Sequence, residues 1–297
     1  MTIAHTGAIT SATPATPARA RKKRRGRGVS PWISNQHGAW AMLITPAVLG
    51  LVAGAVAWAR GGAGPAGDLI ALGAVLMAWF FGYGAFFAFG LAARARNPRR
   101  RRKYLAPVYV YGAVCLAALL VVALARPATA WWAIPYAPLV AVAVYETLRG
   151  RSRSMLSGVS TTIASALLVP VLADVGGAEL TWTHGATVSA AFLALYFSGT
   201  IPFVKTMIRE KGNESFLRLS VGVHVFSLAA VAAMVWAAPL TAWAATVMVA
   251  VMVIALVRAV WFPVTAGRGR AWTARDVGVA EMPVCLLAAV GVLLAVS

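Results

Sequence analysis

The sequence predicts an all-α fold, a polytopic bundle of about nine membrane-spanning helices. Three observations predict it. Hydrophobic residues fill 60% of the 297 positions and charged residues only 12%, against roughly 25% charged in soluble domains. Apolar runs of spanning length follow one another with little sequence between them. Lys and Arg alternate between rich and poor connections, as they do in a chain that crosses a bilayer repeatedly.

The first element is a tail. Residues 1–30 are rich in Ser, Thr, Pro and Ala, carry the run Arg21, Lys22, Lys23, Arg24, Arg25, Gly26, Arg27 and hold no apolar stretch, so disorder is expected there. It does not read as a cleaved signal, because the next apolar run already has full spanning length. The nine-helix transmembrane domain is expected over 31–297, with apolar runs at 39–59, 68–93, 104–125, 129–147, 156–174, 184–204, 217–238, 240–262 and 278–297. Each is near the roughly twenty residues that cross the hydrocarbon. Helix is expected over strand because a lone segment in lipid must satisfy its own backbone hydrogen bonds.

Topology is tested within the chain itself. Seven basic residues precede the first run, Arg60 follows it, seven follow the second, Arg126 follows the third and three follow the fourth; the remaining connections hold none, four, none and four. That places 25 on one side and two on the other, and a miscounted helix would scramble the alternation. The N-terminus is therefore expected in the cytoplasm and the C-terminus outside. Trp58, Trp131, Trp132, Trp182, Trp261 and Trp272 lie near run ends, as in interfacial belts.

Net charge of +19 raises the question of nucleic acid, but cytoplasmic loops facing anionic headgroups account for it, and no nucleic-acid partner is expected. Cys115 and Cys285 have no CxxC spacing and sit in apolar runs, so neither a disulfide framework nor a zinc site is indicated. GxxxxGK, HExxH and GxSxG do not occur. With His184 expected outside and His5 in the tail, no metal or cofactor is expected.

Polar groups within spans are expensive, so the few present are the candidate site residues. Asn35, Gln36, His37, Gly38, Ala39, Trp40 mark the entry to the first helix, where either a helix cap with an interfacial anchor or a binding motif fits. Between the second and third runs lie Arg94, Arg96, Asn97, Pro98, Arg99 to Arg102 and Lys103, followed by Tyr104, Tyr109 and Tyr111. Topology with headgroup binding is one reading; a phosphate or diphosphate pocket, which Arg grips bidentately, is the other. Lys205 and Arg209, spaced i, i+4, share a face if the sixth helix continues past its apolar run. Glu146, His224 and Glu281 fall at similar depth from the cytoplasmic side, as ligands or as interhelical ion-pair partners.

Asn35-Gln36-His37-Gly38-Ala39-Trp40-Ala41-Met42, Ser198-Gly199-Thr200-Ile201-Pro202-Phe203-Val204-Lys205-Thr206-Met207-Ile208-Arg209-Glu210 and Gly278 to Glu281 together resemble the bacterial YwiC-like membrane proteins. The resemblance covers about 31–297, implies a bacterial plasma-membrane protein and brings no activity with it. More distantly, nine helices and Thr45-Pro46-Ala47-Val48-Leu49-Gly50 resemble the UbiA-type intramembrane prenyltransferases, which implies a UbiA-like bundle with its site at the cytoplasmic ends. Those enzymes hold Mg²⁺ and diphosphate with clustered Asp, the oxygen ligands a hard cation requires. Here the corresponding segments offer Arg94, Arg96 and Asn97, and Lys205, Arg209 and Glu210, in a chain with eight acidic residues.

The expected function is therefore binding of an anionic or isoprenoid membrane lipid in a cytoplasm-facing basic pocket. Two alternatives stand beside it: a divergent prenyl or lipid-group transferase in which arginines replace Mg²⁺, and a transporter with Glu146, His224 or Glu281 as proton-coupling group.

Overall fold

Each of the nine expected spans is present, and their ends are set by capping groups more than by the last apolar side chain. The computed structural model describes residues 30–34, 37–61 and 66–297, except the side chains of His37 and Ala66. The basic tail and Asn35 lie outside the described residues. The helices are α1 (His37–Arg60), α2 (Ala66–Ala93), α3 (Pro98–Ala125), α4 (Ala133–Leu148), α5 (Met155–Ala166), α6 (Leu168–Val175), α7 (Gly185–Ile208), α8 (Glu214–Ala237), α9 (Ala242–Gly267) and α10 (Ala274–Val296). A 3₁₀ stretch, Pro127–Trp132, leads into α4 and completes the fourth span; α5 and α6 together form the fifth. Among the described residues nine segments are long and apolar enough to cross a bilayer, so the protein is a multi-pass membrane protein.

Five helices extend beyond their apolar runs at the basic end. α3 begins at Pro98 and not near residue 104. Asn97 Oδ1 accepts from the amides of Arg99 and Arg100 at 2.9 and 3.4 Å, and Pro98 supplies a preset φ at the first helical position. The basic loop is thus largely the first turns of a helix. α7 reaches Ile208, α9 reaches Gly267, α8 starts after its Asn213 cap, and α10 starts after Thr273, which forms a capping box with Asp276. A helix leaving the hydrocarbon needs no apolar side chains, only satisfied end groups. At the C-terminus of α4, Gly150 takes φ +72°, and the amides of Gly150 and Arg151 return to the carbonyls of Thr147 and Glu146.

The fifth span breaks at Leu167. Pro170 has no N–H for the Ala166 carbonyl and its ring crowds that oxygen, so α5 stops at Ala166 and α6 resumes after it. α6 then runs against α1, where the small residues sit. A Cβ on Gly54 would stand 2.5 Å from the Leu172 carbonyl oxygen and 2.7 Å from a Leu72 methyl; one on Gly50 would stand 2.9 Å from the Leu168 oxygen. One on Gly176 would collide with the backbone of Gly54. Gly50 and Gly54 form a GxxxG face, the device by which helices in lipid approach closely enough to gain packing energy.

α7 is the centre of the bundle, touching α1, α5, α6, α8, α9 and α10. The fifth and sixth spans are each 61% buried along their most apolar window, against 11% for the third and fourth. The core of Phe192, Leu193, Tyr196, Met248, Met252 and Ala288 forms where α7, α9 and α10 meet. α3 packs chiefly on α2 and leaves Leu116, Leu120 and Leu124 exposed, as suits a helix facing acyl chains. At the end opposite the basic loops, Arg126 bonds Asp68 Oδ1 at 3.1 Å and the Asp174 carbonyl at 2.9 Å, and Trp132 Nε1 donates to Asp174 Oδ2 at 2.8 Å. Those contacts tie α2, α3 and α6 together at the sparsely charged face.

Gly54→Ala is expected to lower the thermal unfolding midpoint of detergent-purified protein, with a loss of about 1–3 kcal/mol from forced overpacking. Gly222→Ala, whose added Cβ meets nothing within 4 Å, is expected to leave the midpoint unchanged or slightly raised. Equal effects would remove the α1–α6 contact from its assigned role.

Candidate functional site

The sequence-predicted residues divide into two groups in different parts of the bundle. α2 and α3 do not touch α7 to α10 among the described residues, so the basic segment at 94–103 and the Lys205–Glu281 set do not line one pocket.

In the first group, residues 31–34 pack against the first turn of α1 and against side chains well inside α2 and α3. Tyr111 donates to the Trp32 carbonyl at 2.8 Å and meets the Trp32 ring edge-on at 5.5 Å. Tyr83 donates to Ser34 Oγ at 3.0 Å, and Trp40 Nε1 donates to the Ser34 carbonyl at 3.1 Å. Trp40 and Tyr111 therefore fasten the entry segment; the side chain of His37, beside them in sequence, lies outside the described residues. Arg94 donates to the Gly90 carbonyl at 2.8 Å and to Ser152 Oγ at 3.4 Å, linking the second connection to the fourth. Asn97 is the α3 cap, and Tyr104 lies half-buried on the same helix. Arg96 and Arg99 to Lys103 are exposed, and no carboxylate among the described residues pairs with them. Glu146 is buried and accepts from Arg151 Nη2 at 2.6 Å, an ion pair that closes the α4 turn.

The second group is the buried one. Lys205 is half-buried in the last turn of α7, and the helix does not continue to Arg209, which caps it exposed. The turn that follows is held by Asn213 Nδ2 on Glu210 Oε2 at 2.9 Å and by Gly212 at φ +83°. Deeper in, Glu281 of α10 forms an ion pair with Arg258 Nη1 of α9, and Tyr196 Oη of α7 donates to Glu281 Oε2 at 3.4 Å. The guanidinium face of Arg258 lies 4.3 Å from the centre of the Phe203 ring. His224 of α8 is 1% exposed, and its Nδ1 meets the Ser220 carbonyl at 2.7 Å. A carbonyl only accepts, so Nδ1 carries the proton. Nε2 is turned to α7, where a Cβ on Gly199 would stand 3.3 Å from it.

Counted by helical rise, these four groups lie about 10–18 Å from the same end of the bundle. Arg258 is 5% exposed. Two of its nitrogens, Nε and Nη2, make no hydrogen bond among the described residues, and neither does His224 Nε2. An unmade buried hydrogen bond costs about 1–3 kcal/mol, and more for a charged group. Ion-pair formation to Glu281 is therefore only part of what Arg258 is equipped to do. Among the described residues no three His, Cys, Asp or Glu side chains come together as a metal site.

Sequence reasoning placed Glu281 and His224 here and missed Arg258 and Tyr196. The count of four basic residues after the eighth apolar run includes Arg258, which is not in a connection: it lies within α9, nine residues before its end. The signal was present, since Arg258 falls inside the 240–262 run, and a charge within a span is a functional or paired group before it is a topological one. Trp272, read as an interfacial anchor, stacks on Phe262 at 4.0 Å and donates to Thr265 at 3.0 Å, covering the end of α9.

Fold and site define a polytopic helical membrane protein with a partly unsatisfied ionic cluster inside its bundle. Residues 33–173, close to half of the chain, match the family described as YwiC-like protein. The chain is 28% identical over 199 residues to the protein of Bacillus subtilis described as uncharacterized protein YwiC, covering 65% of this chain and 74% of that one. A Haemophilus influenzae protein described as uncharacterized is 27% identical over 202 residues, again covering 65% and 74%. No solved structure matches the chain.

Glu281→Ala leaves Arg258 buried without its counter-charge and is expected to destabilise by about 3–5 kcal/mol. R258M/E281M, neutral and of similar volume, is expected to unfold near the wild-type midpoint. Thermal unfolding of R258M, E281M and R258M/E281M measures the coupling; additive losses would mean that the ion pair does not act as a unit.

Proposed function

We propose that the protein binds an anionic membrane lipid at the basic end of α2 and α3, with that end at the cytoplasmic face of the bacterial plasma membrane. The observation that carries this reading is the row of exposed cations, Arg99 to Lys103, without carboxylate partners among the described residues, at the head of a helix whose later turns expose apolar side chains. On α3, Arg102, Tyr109 and Leu116 are spaced seven apart and share one face, and Leu120 and Leu124 continue it. Tyr109 is 70% and Leu116 69% exposed. A phosphate headgroup at Arg102 and its neighbours would lay its chain along this stripe, and an isoprenoid chain suits it as well as an acyl chain. A UbiA-like scaffold, supported by the nine spans and the position of the basic segment, would keep such a lipid at this end. The cytoplasmic assignment rests on the bias of basic residues.

Each Lys or Arg near an anionic surface contributes about 1 kcal/mol. R99Q/R100Q/R101Q/R102Q/K103Q keeps the Asn97 cap and is expected to lose at least tenfold in retention of phosphatidylglycerol and undecaprenyl phosphate over phosphatidylcholine. Native mass spectrometry of protein delipidated and then offered equal mixtures measures it. Wild-type protein that retains the three lipids in proportion to supply, or a variant that retains them as the wild type does, would overturn the reading.

A further inference from the structure

The ionic cluster within α7 to α10 uses none of the residues at 94–103, so what it does is independent of the lipid reading. Its chemistry is specific. In a guanidinium, Nε–H and one Nη group point the same way along one edge, spaced to match two coplanar oxygens. Arg258 spends Nη1 on Glu281 and has Phe203 against its face; the unpaired atoms are Nε and Nη2, the two that make up such an edge. Arg258 is 5% exposed. A structural ion pair has no use for a free donor edge in a bundle interior, where water does not compensate it.

We infer that the Nε–Nη2 edge of Arg258 is a binding site for a small carboxylate, and that Glu281 takes up a proton when the carboxylate binds. The second half follows from charge. With Glu281 ionised the pair is neutral; a bound carboxylate would give two anions to one cation inside the membrane. Burying an unbalanced charge is strongly unfavourable. Protonation of Glu281 restores neutrality, the carboxyl keeps its place beside Arg258 and Tyr196, and the carboxylate holds the bidentate edge. A phosphate dianion could meet the same edge but would need more than one proton for neutrality, so the charge balance favours a monoanion.

The groups facing Glu281 are Tyr196 from α7, Arg258 from α9 and Cys285 one turn along α10, with Thr45 of α1 against Cys285 at 3.8 Å. His224 of α8 lies within reach of the Arg258 charge. None of these except Glu281 is an ionised acid that a proton would neutralise. The Glu281 side chain is 20% exposed against 5% for Arg258, which makes it the entry side of the cluster. Binding tied to proton uptake is the elementary step of proton-coupled carboxylate movement, the class of activity this site fits.

The test uses full-length protein in phosphatidylcholine nanodiscs with acetate as probe, binding read by calorimetry and proton uptake by a pH indicator in weak buffer. Wild-type protein is expected to take up a proton for each acetate bound. Glu281→Gln, neutral from the start, is expected to bind acetate without proton uptake, and R258M/E281M, shown folded by its helical circular dichroism and unfolding midpoint, to bind none. Absence of acetate binding by the wild type, proton uptake persisting in Glu281→Gln, or acetate binding retained in R258M/E281M would each overturn the inference.

Discussion

The rest of the bundle depends on how closely α1 and α6 approach. Helices in lipid gain little from hiding apolar surface, because acyl chains are as apolar as the partner helix; what holds them is contact between backbones and side chains. Gly50 and Gly54 on α1, with Gly176 just past α6, remove the side chains that would keep the two apart. α6 is short because Pro170 ends α5 at Ala166, and its brevity lets it lie against α1 along a different line from α5. The fifth span thereby touches α1 chiefly through α6 and α7 chiefly through α5, and α7 is brought to the centre.

Once α7 is central, it supplies one wall of the ionic cluster from residues on its inward turns. Tyr196 meets Glu281, Gly199 makes room for the His224 ring, and Phe203 lies beneath the Arg258 guanidinium. Each is a turn or so from the next. The cluster is thus a property of four helices at once, and the cation–π contact and ion pair that hold Arg258 fix its orientation in the plane while leaving one edge unused. Its depth sets it apart from the cations of α3, which are exposed and pair with no carboxylate among the described residues.

Much of the fold was legible in the sequence because the bilayer imposes two simple constraints: run length and the side on which basic residues are left. Both are counts, and the first was met by nine segments of spanning length among the described residues. The helix ends were less legible. Arg99 to Lys103 read as a loop because they are not apolar, yet Asn97 and Pro98 make them the first turns of α3. The α5–α6 break was signalled by Pro170 inside an apolar run and went unused. For the site, Glu281 and His224 were visible as polar groups at matching depth, but their partners were not. Tyr196 resembles any other aromatic in a span, and Arg258 was absorbed into the charge count that supports the topology. Only three-dimensional packing brings residues 196, 224, 258 and 281 together, since they come from four different spans.

The pairing of Arg258 with Glu281 also bears on how the chain enters the membrane during synthesis. Arg258 leaves the ribosome first, in a span that would otherwise partition readily into lipid, and its counter-charge follows only on the next span. An unpaired Arg near the middle of a helix opposes insertion by about 2.5–3.5 kcal/mol on the translocon scale. α9 and α10 are joined by the short segment 268–273, so the hairpin is complete soon after α10 is made. Its two charges neutralise each other only when both spans are present, so the cost of placing Arg258 in lipid is offset by the span that follows it.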